Sequence, residues 1–271
     1  MLKPLLQSLP EVDARIQEAN RIALFLDFDG TLAPIVDDPA AAKLASEVRD
    51  TLQQLARQES LVLTVISGRA VEDVFVRVRI EGMIYAGNHG LEIFGRNLRF
   101  VEPEADARRD SLRRLREVVA AKLRHVAGVI VEDKGLTVSV HFRQASEIDF
   151  PAIEDAVRSS VAAAGALFRL NSGRKVLEIV PRTGWHKGAA ARWIIGHLGE
   201  DGLLPIYLGD DNSDEDAFAV LRDAVTVRVG RPSASCANYG VPGPAEVHQF
   251  LQWLEARVAM RGSASVGIGD S

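Results

Sequence analysis

Four short apolar runs punctuate the chain: Ile22 to Leu26 (IALFL), Leu61 to Ile66 (LVLTVI), Leu204 to Leu208 (LPIYL) and Ala224 to Val229 (AVTVRV). Their length and apolar character predict buried strands. Three are followed at once by polar, glycine-containing clusters, DFDGT, SGR and GDDNSDED. Helical patterns at Leu44 to Gln58, His186 to Leu198 and Glu246 to Met260 lie between or after them. That alternation predicts a parallel sheet with helices on both faces. Ligands of such sheets bind beyond the carboxyl ends of the strands, where the loops converge. The polar clusters are therefore expected on one rim.

Between Val101 and Pro181 the order changes. A charged helix (Glu104 to His125) precedes two strands around Asp133-Lys134-Gly135, and a second helix (Phe150 to Ala164) precedes two more around Asn171-Ser172-Gly173. A helix-hairpin unit repeated twice can close its own small sheet, which predicts an inserted α+β cap domain. The expected division is 1–102 with 182–260 for the core, 103–181 for the cap, and a disordered tail over 261–271. Prolines near Val101 to Pro103 and Val180 to Thr183 suggest hinges there. The run RRDSLRRLR at 108 to 116 reads as the solvated face of the first cap helix.

Composition narrows the function classes. Of 271 residues 47% are hydrophobic and 25% charged, which indicates a cored globular protein, and the net charge of −5 lacks the basic field of a nucleic-acid binder. No apolar run has the length of a membrane span. The single cysteine, Cys236, cannot form an intrachain disulfide, and no secretion signal is evident, so a cytoplasmic location is expected. Isolated histidines (His125, His197, His248) and the tryptophans (Trp185, Trp193, Trp253) read as packing residues.

Chemistry concentrates on the expected rim. Asp27 and Asp29 end the first strand, a spacing that an Asx turn and helix cap explain equally well when seen alone. Ser67 with Arg69, Lys187, and the acidic set Asp210, Asp211 and Asp214 join them. A carboxylate pair, a hydroxyl, an ammonium and an acidic cluster then share one edge. Taken singly, Ser67 would pass for a helix cap and Lys187 for a solvated lysine.

In order and spacing these residues resemble the four motifs of the haloacid dehalogenase superfamily. Within it the chain is similar to trehalose-6-phosphate phosphatases, through LDFDGTLAPI (26–35), ISGR (66–69), AGNHGLEI (86–93) and LGDDNSDEDAF (208–218). Ser213 stands where that family more often has threonine, which keeps the hydroxyl. The resemblance implies an α/β fold: a Rossmann-like parallel-sheet hydrolase core carrying the α+β cap.

It also implies phosphoryl transfer, which is mostly positioning and charge neutralisation. Asp27 would attack phosphorus as an already ionised carboxylate and form an aspartyl-phosphate. Mg²⁺ would mask the charge, held by Asp27, the main-chain carbonyl of Asp29, and Asp210, with Asp211 and Asp214 orienting ligands or exchanging roles with Asp210. Asp29 would protonate the departing sugar oxygen and then take a proton from water. Ser67 and Lys187 would hold phosphoryl oxygens.

Sugar selectivity requires polar side chains that the wrong substrate leaves unpaired. The expected contributors are Arg69, Asn88 and His89 from the core, and Glu132, Lys134, His141, Arg143, Lys175 and Glu178 from the cap hairpins. The last set is equally consistent with exposed cross-strand charge pairs, and the resemblance raises Glu132, Lys134 and Glu178 above the rest. The expected activity is hydrolysis of trehalose 6-phosphate by a monomer, with a trehalose-6-phosphate synthase as possible partner. Rival readings are a phosphatase of sucrose 6-phosphate or a glycosyl-3-phosphoglycerate, a phosphomutase, and a non-catalytic sugar-phosphate sensor.

Overall fold

The computed structural model describes residues 2–36, 38–173, 175–231 and 234–266. In chain order the elements are β1 (Lys3–Pro4), α1 (Leu9–Glu18), β2 (Arg21–Leu26), α2 (Ser46–Ala56), β3 (Leu61–Ile66), α3 (Val71–Val78), β4 (Ile84–Gly87), β5 (Glu92–Gly95) and β6 (Leu98–Val101). Then follow α4 (Pro103–Ala107), α5 (Arg109–Leu123), β7 (Ile130–Asp133), β8 (Val138–His141), α6 (Phe150–Ala163), β9 (Phe168–Gly173) and β10 (Val176–Pro181). The chain ends with α7 (Lys187–Leu198), β11 (Leu203–Gly209), α8 (Asn212–Val220), β12 (Val225–Val229), β13 (Tyr239–Val241) and α9 (Pro244–Val266). It divides into two compact units, Met1–Phe100 with Trp185–Ser271, and Val101–Gly184.

The first unit is built on a sheet of order β1-β13-β12-β11-β2-β3-β4-β5-β6. Pairing is parallel from β1 to β4 and turns antiparallel at β5. The apolar runs behave as double-sided strands because successive side chains point to opposite faces. Ile22, Leu24 and Leu26 of β2 join α1, α2, α3 and α9 in one core, while Ala23 and Phe25 join α7 and α8 in another. With both faces filled, only the strand ends are left for chemistry.

Three features depart from the sequence expectation. The sheet gains β1, β13, β4 and an antiparallel edge, where β5 reverses into β6 through Arg96 and Asn97, both at positive φ (48° and 65°). The helix expected over Glu104 to His125 is two helices: Pro103 opens α4, and Arg108 at φ −96° and ψ 0° ends it. The tail expected to be disordered from residue 261 is helical to Val266, because the Arg261 guanidinium donates to the carbonyls of Ile16 and Ala19 at the end of α1. Residues 267–271 lie outside the described residues.

The second unit is an antiparallel sheet of order β7-β8-β10-β9. Val138, Val140, Leu177 and Ile179 pack with Leu112, Leu115 and Val119 of α5 and Ile153 and Val157 of α6. The alternate positions form the opposite, polar face, where register places Glu132, Ser139, Glu178 and Asn171 in one cross-strand row. On α5 the run at 108–116 pairs locally, Arg109 with Asp106 and Arg113 with Asp110, as a solvated face does.

Candidate active site

The tips of β2, β3 and β11 meet because these strands are adjacent and in register. The Asp27 amide donates to the Leu208 carbonyl at 3.0 Å, and the Ser67 amide to the Ala86 carbonyl at 2.9 Å. The loop after β2 must pass very close to the loop after β11. A Cβ on Gly30 would lie 2.1 Å from an Asp210 oxygen, and Gly30 also has φ +82°, so glycine is required twice over. Gly209 makes similar room, since a Cβ there would lie 2.3 Å from the Asp214 carboxyl carbon.

Lys187 opens α7 and is buried at 2% exposure. Its Nζ donates to Asp27 Oδ1 at 2.7 Å and to Asp214 Oδ1 at 2.8 Å. Asp214 is engaged at both oxygens: Oδ1 also accepts from the Tyr207 hydroxyl at 2.8 Å, and Oδ2 accepts from the Asp211 amide at 3.0 Å. Such full pairing is what a completely buried carboxylate needs. Asp210 is different. Its Oδ1 is buried with no hydrogen-bond partner among the described residues, although ligand atoms of Asp27, Asp210 and Asp214 lie within 4.8 Å of one another.

Three carboxylates and one ammonium leave two negative charges uncompensated when all are ionised. Burial pushes the Asp27 carboxyl well above the usual range, and Asp214 and Asp210 add to this against the opposing Lys187. Burial, then Asp214, pushes Asp210 up to about 7. Burial also works against the Lys187 charge, but Asp214 and Asp27 outweigh it and hold the ammonium above its ordinary range. An orphaned carboxylate oxygen in an over-negative, oxygen-rich cluster fits a hard divalent cation such as Mg²⁺.

Asp29 turns to another partner. Both of its oxygens accept from Arg69, at 2.6 Å each. Ser67 is buried, and its Oγ accepts from the Arg69 amide at 3.2 Å; the N-cap of α3 is Ala70, so Ser67 is not that helix's cap. Asn88 and His89 follow β4 in the left-handed region, their amides bonded to the carbonyls of Arg69 and Ser67 at 2.7 and 2.9 Å. That backbone weave places both residues beside the SGR segment.

The structure separates the three aspartates that the sequence left interchangeable. Asp211 is exposed and forms a capping box with Asp214 at the start of α8, accepting from the Asn212 amide at 2.7 Å. It does not join the acidic cluster. Two residues that sequence reasoning missed support this region. Tyr207 carries a hydroxyl within an apolar strand, and Arg228 carries a charge in β12, donating to the Asp211 carbonyl at 2.7 Å and to Glu215 at 3.1 Å. A polar group inside a buried run must find a partner, which was the available signal.

In the second unit, Glu132 pairs with His141 Nε2 at 2.8 Å, and Lys134 donates to Glu178 at 2.9 Å. These four belong to one polar surface. Arg143 lies two residues beyond β8 and is half-buried. Lys175 does not join the group: it occupies the β9–β10 turn at φ 61° and pairs with Glu147 at 3.2 Å over the Phe150 ring. Trp185 stacks on Phe100, Trp193 tilts against the same ring, and His248 is bonded to Thr51, whereas His125 is exposed and does not pack.

The trehalose-phosphatase family profile matches residues 25–241, which include every residue of the rim described above. The chain belongs to the trehalose-phosphatase family. A trehalose 6-phosphate phosphatase of Zea mays is 36% identical over 264 residues, covering 90% of this chain and 72% of that protein. Trehalose-phosphate phosphatase B of Arabidopsis thaliana is 34% identical over 253 residues, 88% of this chain and 67% of that one. In structure, the C-terminal domain of the C. albicans trehalose-6-phosphate phosphatase matches with a TM-score of 0.81 at 20% identity, over 94% of this chain and 98% of that domain. The family fold is thus shared by chains that keep one residue in five. Among the described residues no helix is long and apolar enough to cross a membrane.

Proposed function

We propose that the protein hydrolyses trehalose 6-phosphate to trehalose and phosphate, with Asp27 as nucleophile. The observation that carries this reading is the buried Lys187 bridging Asp27 and Asp214 beside the orphaned oxygen of Asp210. An ammonium fixed against a carboxylate at a strand tip pre-organises positive charge where a phosphoryl group must approach. A purely binding module has no use for an acid, a nucleophile and a clamp in one place.

Asp27 is expected to attack phosphorus directly, because a carboxylate needs no base to activate it. Lys187 orients its Oδ1 and offsets charge on the phosphoryl oxygens. Asp29 protonates the sugar oxygen as it leaves and accepts a proton from the water that cleaves the aspartyl-phosphate. Ser67, whose Oγ already accepts from the Arg69 amide, retains its hydroxyl proton for a phosphoryl oxygen. Asp27, Asp210 and the carbonyl of Asp29 would hold Mg²⁺, which would supply charge neutralisation to nucleophile and substrate alike. Asp214, with its oxygens engaged, acts by holding Lys187. Selectivity for the disaccharide is assigned to the polar surface bearing Glu132, Lys134, His141 and Glu178, assisted by Asn88 and His89. Hydroxyl groups of the correct sugar would satisfy side chains that another sugar leaves unpaired.

Phosphate release measured with Mg²⁺ across trehalose 6-phosphate, sucrose 6-phosphate and a glycosyl-3-phosphoglycerate tests the substrate assignment. The expected result is a kcat/KM for trehalose 6-phosphate at least ~100-fold above the others, the discrimination that unpaired buried polar groups support. Preference for another member of the panel overturns the substrate. Absence of phosphate release with all three overturns the reaction.

A further inference from the structure

Four of the five N–H groups of Arg69 are committed: Nε and Nη2 to the two oxygens of Asp29 at 2.6 Å, Nη1 to Asp73 at 2.8 Å, and Nη2 also to the Pro39 carbonyl at 2.9 Å. Its guanidinium carbon lies 5.5 Å from the Phe28 ring centroid, so the plane is held from one side as well. Asp73 in turn accepts from Arg77 Nε at 2.8 Å, and Arg77 donates to the carbonyls of Ala40 and Ala42. The fork is a fixed part of the loop architecture. It is occupied by protein groups and directed at the proton carrier.

We propose that Arg69 is the positioning residue of Asp29: its planar fork engages both carboxylate oxygens and fixes the plane in which Asp29 meets the leaving oxygen, a role that a point charge cannot fill. The proposal rests on Asp29 being the proton carrier.

Leaving-group dependence separates this role from a structural or phosphate-binding one. The alkoxide of trehalose needs a proton to depart, whereas 4-nitrophenolate does not. With Arg69→Gln we expect kcat on trehalose 6-phosphate to fall about 100-fold, the usual share of acid catalysis, with KM changed less than about threefold. The pre-steady-state burst of nitrophenolate from 4-nitrophenyl phosphate keeps its rate. Arg69→Lys, which restores charge without the fork, fails to recover the loss. Asp73→Asn, which loosens Arg69 while sparing its charge, gives a smaller loss in the same direction and serves if Arg69→Gln does not fold. Asp29→Asn added to Arg69→Gln costs little more. Equal losses on both substrates, a change in KM alone, or full rescue by lysine would overturn the positioning role. If Asp29→Asn leaves trehalose 6-phosphate turnover intact, the acid assignment falls and the positioning role with it. If Asp29→Asn is inactive and Arg69→Gln is not impaired, the positioning role alone falls.

Discussion

The Nζ of Lys187 lies 2.7 Å from Oδ1 of Asp27, a residue 160 positions earlier in the chain, and both side chains are buried. No local preference brings them together. The parallel sheet does, by setting the tip of β2 against the start of α7. A buried pair of this kind is costly to break from one side, because the surviving charge stays out of water.

Lys187→Ala is therefore expected to destabilise the fold as well as the reaction. It strands Asp27 and Asp214, and the loss of stability is about 3 kcal/mol, the low end for removing one partner of a buried ion pair. Urea denaturation at neutral pH checks this. A variant as stable as the parent would mean that water reaches both carboxylates.

The raised Asp210 carboxyl makes a signed prediction about pH and metal. In the metal-free fold it titrates at about 7, above its ordinary value of 3.8. Between those values the folded state binds more protons than the unfolded state, so stability falls as pH rises through this window. Mg²⁺ binds the ionised form and reverses the trend. The rise in Tm on adding saturating Mg²⁺ should thus be larger at pH 8 than at pH 5, with protons released on binding at pH 6. Equal shifts at both pH values would contradict the arrangement.

Gly30 provides a test that alters the identity of no side chain of the site. Gly30→Ala puts a methyl 2.1 Å from Asp210 Oδ2, in a left-handed conformation that disfavours alanine by about 1 kcal/mol. Asp210 must move. A Mg²⁺ titration of activity should show weaker apparent affinity by about tenfold or more, with substrate KM at saturating metal much less affected. Unchanged metal affinity would remove Asp210 from the ligand set.

Much of this arrangement is legible in the sequence, for definite physical reasons. The run Ile22 to Leu26 is apolar at every position, as a strand buried on both faces requires, and Asp27 lies where that run ends. The two helix-hairpin repeats announce themselves through Gly135, between β7 and β8, and Gly173, which ends β9. What stays hidden depends on contacts distant in sequence or on helix phase. Asp211 and Asp214 carry the same side chain three residues apart; one faces solvent as a cap and the other is turned inward to Lys187 and Tyr207. Arg69 reads from its motif as a substrate contact, yet its fork closes on Asp29, 40 residues away. The β5–β6 hairpin escapes a sequence reading because its strands EIFG and LRFV are mostly only partly buried and so lack the unbroken apolar run that marks β2 and β3.

Covalent capture at position 27 tests the central claim most directly. Protein mixed with Mg²⁺ and trehalose 6-phosphate, quenched within milliseconds and reduced with borohydride, should contain homoserine in place of aspartate at position 27 when the tryptic peptide is read by mass spectrometry, since borohydride reduces an acyl phosphate and spares a free carboxylate. Steady phosphate release with position 27 unmodified at every quench time, or with the reduced residue at another aspartate, would contradict the account.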